Sequence, residues 1–307
     1  MDLSIIIVNW NTRDFLIKCI NSINMDLDGN TQKKVEILVV DNGSTDCSVE
    51  AVLEKYPEVI LLPMATNLGF ARSNNIAARQ ACGEFLVFIN PDTIVHPPAI
   101  SILLDYLSLN PEVGAVGPRL LNQDGSVQIS IWPKPTLFRE CWRLSHLDKL
   151  LPISQYPNSI IFSKKPQPVD VMSGAFFVIR HSVFKALEGF DERFFIYSEE
   201  IDLFVRMEKK NWLLYLIPDA TVTHYEGQST RQVSDDMFLE LYRNKLKFFR
   251  KHYSDFHFII YKWVLFFVSI TRLISGYIIS KSPSKNNKKY EVMYSQYRQL
   301  FKYLQSI

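Results

Sequence analysis

Apolar runs of strand length alternate with stretches whose apolar residues recur at helical spacing, starting from the first residues of the chain. LSIIIVNW reads as a buried strand, and RDFLIKCINSI after it as an amphipathic helix. VEILVVDNGSTD repeats the scheme: its strand ends at Asp41, a glycine-containing turn follows, and CSVEAVLEKYP resumes a helix. VILLPMATNLGFARSNNIAARQACG supplies a third strand, a loop and a helix ending near Gly83. EFLVFINPDT is a fourth strand, halted at Asn90-Pro91 because proline disfavours helical backbone in its predecessor. PPAISILLDYLSLNP is then a helix with proline at its start. Nearly all-apolar strands in this alternation predict an α/β fold, a mostly parallel sheet covered by helices on both faces. Ligands of such sheets bind beyond the carboxyl ends of the strands. The polar clusters fall there: Asn9 to Asn11, Asp41 to Asp46, Asn67 onward, and Asn90 to Thr93.

From Gly114 the pattern changes. VGAVGPRLLNQDGSVQISIWP predicts short strands around an Asp124-Gly125 hairpin turn. Lys134 to Pro168 reads as irregular, rich in proline and aromatics, and VDVMSGAFFVIRHSVFKALEGF returns to strand then helix. The predicted domains are 1–235, with a nucleotide-binding half (1–113) and an acceptor half (114–235), and a helical extension over 236–307.

Within that extension, Phe256 to Ile279 is long enough to span a bilayer but is interrupted by Lys262 and Arg272. On a helix, Lys262, Ser269 and Arg272 fall within an arc of about 80°, opposite a broad aliphatic and aromatic face. Lys245, Lys247, Arg250 and Lys251 precede the segment, and Lys281, Lys285, Lys288 and Lys289 follow it. The pattern predicts a helix lying in a membrane interface. Packing against protein, including a homodimer partner, is the alternative.

Composition narrows the class further. The 307 residues are 47% hydrophobic and 21% charged, which is globular. A net charge of +2 gives no global field favouring nucleic acid. Cys19, Cys47, Cys82 and Cys141 lie far apart, which argues against a zinc knuckle and suits a reducing cytosol. MDLSIIIVNWN reads as an immediate strand, with neither the basic region nor the length of a signal peptide.

In family order, the stretches SIIIVNWN, VVDNGSTDCS, NLGFARSNN, GEFLVFINPDT, VGPRLLNQDGSV, SGAFFVIRHSVFKALEGFDERFFIYSEEIDLFVR and PDATVTHYEGQST resemble the family-2 glycosyltransferases. The nearest subgroup is the bacterial rhamnosyltransferases of cell-surface polysaccharide and O-antigen assembly. The resemblance covers residues 3 to about 230 and implies the GT-A fold of nucleotide-diphospho-sugar transferases. It implies that Asp41 accepts the imide N–H of the base. Asn9 would lie where the backbone frames that base, and Asn67 and Asn75 flank a loop near the nucleotide. Asp92 in NPDT occupies the place of the metal-binding Asp-x-Asp motif, with Asn90 in place of its first aspartate. His224 matches a histidine that joins the metal or diphosphate, so Mg²⁺ or Mn²⁺ is implied as cofactor. For Asp41 the plain alternative is an Asx-turn, and for Asp92 a cap on the following helix.

In SEEIDLFVR, Glu199 and Asp202 share a helical face while Glu200 turns about 100° away. Arg206 stands four residues after Asp202, placed to pair with it. That leaves Glu200 without a local partner. The resemblance puts the acceptor-activating base at this position, one methylene longer than the family's aspartate, with Glu199 in reserve. It further implies inversion, dTDP-β-L-rhamnose as donor, a lipid-linked saccharide acceptor and a peripheral position on the inner face of the bacterial membrane. A UDP-hexose donor and a non-catalytic membrane-docked subunit are the alternatives. A sugar nucleotidyltransferase would want a glycine-rich phosphate loop after the first strand, and VNWNTRDFL has no glycine.

Overall fold

The computed structural model describes residues 1–28, 33–228, 234–280 and 287–307. Chain order begins β1 (Leu3–Asn9), α1 (Arg13–Leu27), β2 (Val35–Asp41), α2 (Ser48–Lys55), β3 (Ile60–Pro63), α3 (Phe70–Gln80) and β4 (Phe85–Ile89). It continues β5 (Thr93–His96), α4 (Ala99–Leu109), β6 (Val113–Leu121), β7 (Ile131–Trp132), α5 (Leu137–Leu144), α6 (Asn158–Ile161), β8 (Gln167–Pro168) and β9 (Val171–Met172). Then come β10 (Phe176–Arg180), α7 (His181–Ala186), α8 (Glu199–Glu208), β11 (Leu213–His224), α9 (Ser234–His252), α10 (Asp255–Ser280) and α11 (Asn287–Ser306). These form two compact units: Met1–Lys134 with Gln155–Gln232, and Pro135–Ser154 with Val233–Ile307.

The first unit is built on a sheet of order β3-β2-β1-β4-β10-β6-β11-β5, with β8 beside β11. Pairings β3–β2–β1–β4 and β6–β11 are parallel, while β10 runs antiparallel to both β4 and β6. Successive side chains alternate between faces, and each face has its own core. Leu3, Ile5, Ile7, Val87 and Val178 belong to one cluster; Ile6, Leu86, Phe88, Phe177 and Ile179 belong to the other. Burial on both faces is the reason the strands read as unbroken apolar runs.

Short β5 pairs antiparallel with the end of β11, in the register that sets Thr93 opposite His224. The hairpin turn lies at Asn122 to Ser126, where the Asn122 amide donates to the Ser126 carbonyl at 2.8 Å.

The second unit consists of α5, α9, α10 and α11. Residues 137–144 depart from the irregular reading and form a helix, whose Thr136 side chain accepts the Arg139 amide as N-cap. The prolines at 133 and 135 mask that cap in the sequence. Glu140 is buried and accepts from Arg143 at 2.7 Å and Lys245 at 2.8 Å. Lys245, grouped in the sequence with basic residues available to lipid, is therefore committed to an internal ion cluster. Lys281, Lys285, Ser229 and Thr230 lie outside the described residues.

On α10 the packed side is the arc that carries Ser269, between Lys262 and Arg272. Tyr261, Leu265 and Ser269 are buried, and the Ser269 hydroxyl donates to the Leu265 carbonyl at 2.7 Å. Phe256, Ile259, Trp263, Phe267, Ile274, Tyr277 and Ile278 are exposed instead. At 100° per residue these seven share an arc of about 100°, opposite the buried positions.

Candidate active site

The carboxyl ends of β1 and β2 carry a closed polar network. Buried Asn9 donates from Nδ2 to Asp41 Oδ1 at 2.8 Å and accepts the Thr12 hydroxyl at 2.7 Å. Asp41, also buried, takes the Ser44 amide on its other oxygen at 2.9 Å. It closes the Asx-turn, and it holds a fixed carboxylate with spare lone pairs at a strand end. Asn11, in the left-handed region at φ 52°, accepts the Thr45 amide at 2.8 Å and ties the two loops together. Sequence reasoning gave Asn11, Asn42 and Ser44 no separate role. Asn42 accepts the Ser73 hydroxyl at 2.6 Å and Ser44 Oγ accepts the Asn11 amide at 2.9 Å, so both brace the same strand ends. A pocket of about 350 Å³ opens beside them, lined by Asn11, Arg13, Phe15 and Asp46 among others.

Asn67 accepts the Gly69 amide at 2.9 Å, making a turn that leads into α3. Asn75 is engaged elsewhere: its amide donates to the Phe190 carbonyl at 2.8 Å and accepts the Phe190 amide at 2.9 Å. It clamps the chain leading to α8. Asp202 does the same from the other side. It is fully buried, pairs with Arg206 at 2.7 Å, and Arg206 also donates to the carbonyls of Leu187 and, at 2.8 Å, Gly189.

Held by these clamps, residues 194–198 cross over the loop at Gly69. Phe70 donates its amide to the Phe195 carbonyl at 2.7 Å. Tyr197 and Ser198 take left-handed backbone before α8 begins at Glu199. Glu199 and Glu200 each keep one carboxylate oxygen that is buried with no hydrogen-bond partner. Burial pushes the Glu200 carboxyl up to about 7. Burial, and then the charge of Glu200, raise Glu199 well above the usual carboxylate range. A carboxyl poised near neutrality is suited to taking a proton from a hydroxyl.

Glu200 stands over Gly174: a Cβ built there would lie 3.6 Å from the Glu200 Cβ. The next residue, Ala175, accepts the amide of Asn90 at 2.8 Å, two residues before Asp92. Asp92 is buried in the turn between β4 and β5 and caps no helix, since α4 starts only at Ala99. Its Oδ1 lies 3.4 Å from His224 Nε2, a buried nitrogen without a hydrogen-bond partner. The β5–β11 register brings these two residues together. A carboxylate oxygen and an orphaned imidazole nitrogen facing each other suit a divalent cation that completes its shell with phosphate oxygens and water. Among the described residues no third carboxylate, histidine or cysteine joins them.

Near these loops, Trp132 and Phe195 are exposed, while Trp212 packs against the core on one sheet face.

The family model for glycosyl transferase family 2 matches residues 4–188. The N-acetylglucosaminyl-diphospho-decaprenol L-rhamnosyltransferase of Mycobacterium tuberculosis is 34% identical over 224 residues, covering 65% of this chain and 69% of that one. Rhamnosyltransferase WbbL of Escherichia coli K12 is 25% identical over 246 residues, 76% and 87% of the two chains. Among solved structures, the mannosyltransferase PcManGT of Pyrobaculum calidifontis, bound to GDP-Man and Mn²⁺, superposes with a TM-score of 0.58 at 16% identity. It covers 97% of this chain and 86% of that one, a likeness of fold. With motif order, sheet topology and family match in agreement, the chain belongs to glycosyl transferase family 2 and is a glycosyltransferase of the GT-A fold.

Proposed function

We propose that the protein transfers L-rhamnose from dTDP-β-L-rhamnose, with inversion, to a lipid-linked saccharide during cell-surface polysaccharide synthesis. Similarity to rhamnosyltransferases supports the sugar and the acceptor class. The observation that carries the chemistry is Glu200, whose Oε2 is buried without a partner, standing over Gly174 next to the residue that accepts the Asn90 amide, two positions from Asp92.

In this reading Asp41 accepts the imide N–H of thymine while Asn9 and Ser44 fix its carboxylate. Glu200 takes the proton of the acceptor hydroxyl as that oxygen attacks the anomeric carbon. The bond to the diphosphate oxygen breaks on the opposite face, and dTDP leaves. Asp92 and His224 would hold Mg²⁺ or Mn²⁺, whose charge stabilises the departing diphosphate. Clamped by Asn75 and Asp202, the 190–198 segment keeps Glu200 in place without conformational search.

The exposed face of α10 is read as a membrane-interface surface. Seven large apolar side chains, Trp and Tyr among them, are exposed along one face of a helix whose buried positions include Ser269, an apolar outer face unlike that of a soluble surface helix. It would keep the enzyme on the cytoplasmic surface where lipid-linked acceptors reside.

Hydrolysis of a nucleotide-sugar panel with Mn²⁺, in parallel with Glu200→Gln, tests the reading. Release of dTDP from dTDP-rhamnose alone, and a mutant that binds dTDP but does not transfer, are the expected results. Release from a UDP-hexose would remove the rhamnose assignment. No binding of any donor would favour a non-catalytic subunit.

A further inference from the structure

We propose that Gln128 is a positioning residue that holds His224 as the Nδ1–H tautomer, so that the Nε2 lone pair faces Asp92. The consequence for a cation rests on the proposed metal site; the tautomer does not.

The hydrogen bonds around the hairpin turn have only one consistent direction. Asp124 accepts the Ser126 hydroxyl at 2.6 Å and the Ser126 amide at 2.9 Å, which holds its carboxyl below the usual range and ionised. With its hydrogen given to Asp124, Ser126 Oγ is left as acceptor for Asn122 Nδ2 at 2.9 Å. That orients the Asn122 amide, whose oxygen accepts Gln128 Nε2 at 3.2 Å. The same Gln128 nitrogen points at the His224 carbonyl at 3.4 Å, a second group that only accepts. Gln128 Oε1 is therefore the atom that meets His224 Nδ1 at 2.9 Å, and Nδ1 must carry the hydrogen.

A neutral imidazole has one such hydrogen. Spent at Nδ1, it leaves Nε2 with a bare lone pair, buried, 3.4 Å from Asp92 Oδ1. Metal–ligand distances of about 2.1 Å let one cation touch both atoms across that gap. The reversed tautomer would place a hydrogen there and close the site against a cation. Partners of a ligating histidine commonly set tautomer and basicity in this way. Here the instruction starts at an exposed turn and passes through Ser126, Asn122 and Gln128. A physical role follows for the NQDGSVQ stretch.

The experiment is a long-range ¹H–¹⁵N correlation on metal-free, ¹⁵N-histidine-labelled protein at pH 7.5, with His224 assigned by its loss in His224→Gln. Wild type is expected to show the Nδ1–H tautomer. Gln128→Leu is expected to shift to Nε2–H and weaken Mn²⁺ binding, read by electron paramagnetic resonance, about 10- to 100-fold. Gln128→Glu, which keeps an acceptor for Nδ1–H, is expected to restore the tautomer. Ser126→Ala breaks the chain at the exposed turn without touching the core and should give a mixture of tautomers. If Gln128→Leu does not fold, the wild-type spectrum and Ser126→Ala decide the matter. A wild-type His224 carrying hydrogen on Nε2, or Gln128→Leu retaining Nδ1–H, overturns the proposal. The Nδ1–H tautomer without Mn²⁺ binding would uphold the positioning role and remove the cation reading.

Discussion

Gly69 lies directly beneath the carbonyl of Phe195: a Cβ at this glycine would sit 2.4 Å from that oxygen. Its backbone is also left-handed, at φ +82°. The loop after β3 and the turn that delivers Glu200 are therefore in backbone contact, and only a residue without a side chain fits between them. Gly69→Ala is expected to cost roughly 1–3 kcal/mol of stability. Transfer should fall more steeply than stability explains, because the 195–198 turn must move. Thermal unfolding and initial rates on the same preparation check this; an active variant of normal stability would contradict the contact.

Glu200→Gln is expected to lower kcat by about 10²- to 10⁴-fold while leaving donor binding intact. In wild type the rate should rise with pH through about 7, as Glu200 loses its proton. The same substitution should raise stability above neutrality. A carboxyl raised from about 4.5 to about 7 binds its proton more tightly folded than unfolded, so folding loses stability as pH climbs between those values. Gln removes that loss, worth at most about 3 kcal/mol at pH 8 and little at pH 4. Denaturant unfolding at the two pH values separates the cases.

The Glu140 cluster carries the opposite pH dependence. Burial alone would raise this carboxyl, but Lys245 and Arg143 outweigh it and hold it at about 2. Its contribution is present above the unfolded value near 4.5 and is lost as pH falls toward 2. Glu140→Ala leaves the half-buried Lys245 and Arg143 without their counter-charge and should cost a few kcal/mol, about 2–4. Helical circular dichroism during urea titration measures it. Wild-type stability independent of pH between 5 and 3 would contradict the pairing.

Trp263→Ser combined with Phe267→Ser should abolish sedimentation with anionic phospholipid vesicles, since each large side chain contributes about 1.5–3 kcal/mol on burial. Turnover on a soluble acceptor analogue should be retained. Conversion of a wild-type dimer to monomer by the same pair, with no vesicle binding by either form, would assign this face to a second copy instead.

Asp92→Asn should weaken Mn²⁺ binding in the presence of dTDP by at least about tenfold, and chelation of wild type should suppress transfer. Isothermal titration with and without nucleotide is the measurement. Unchanged Mn²⁺ affinity in the variant would remove Asp92 from the cation site.

The sheet was legible because β1, β2 and β4 bury both faces, which leaves an apolar run that no other element explains. The Asp202–Arg206 pair was legible from helical spacing, and so was the isolation of Glu200. Long-range placement was not. Nothing local tells that Asn75 spends its amide on Phe190, 115 residues away, or that Lys245 pairs with buried Glu140. Helical periodicity in α10 separates polar from apolar positions correctly but does not say which side faces inward. Gln128 carried no signal beyond its motif, since its meaning lies in the direction of hydrogen bonds that exist only once β11 is in place.

The antiparallel strand β10 lies between β4 and β6, and among the described residues β5 pairs only with β11. A chain emerging from the ribosome therefore makes β1 to β4 early but leaves the β4 edge open until residue 180 appears. Asp92 waits longer still, for His224. The proposed cation ligands, more than a hundred residues apart, cannot assemble in any shorter product. Such a product would present an unpaired edge rather than a weakened enzyme. On the proposed roles, catalytic competence thus arrives only with the completed sheet, since Asp92 and His224 meet through the β5–β11 pairing.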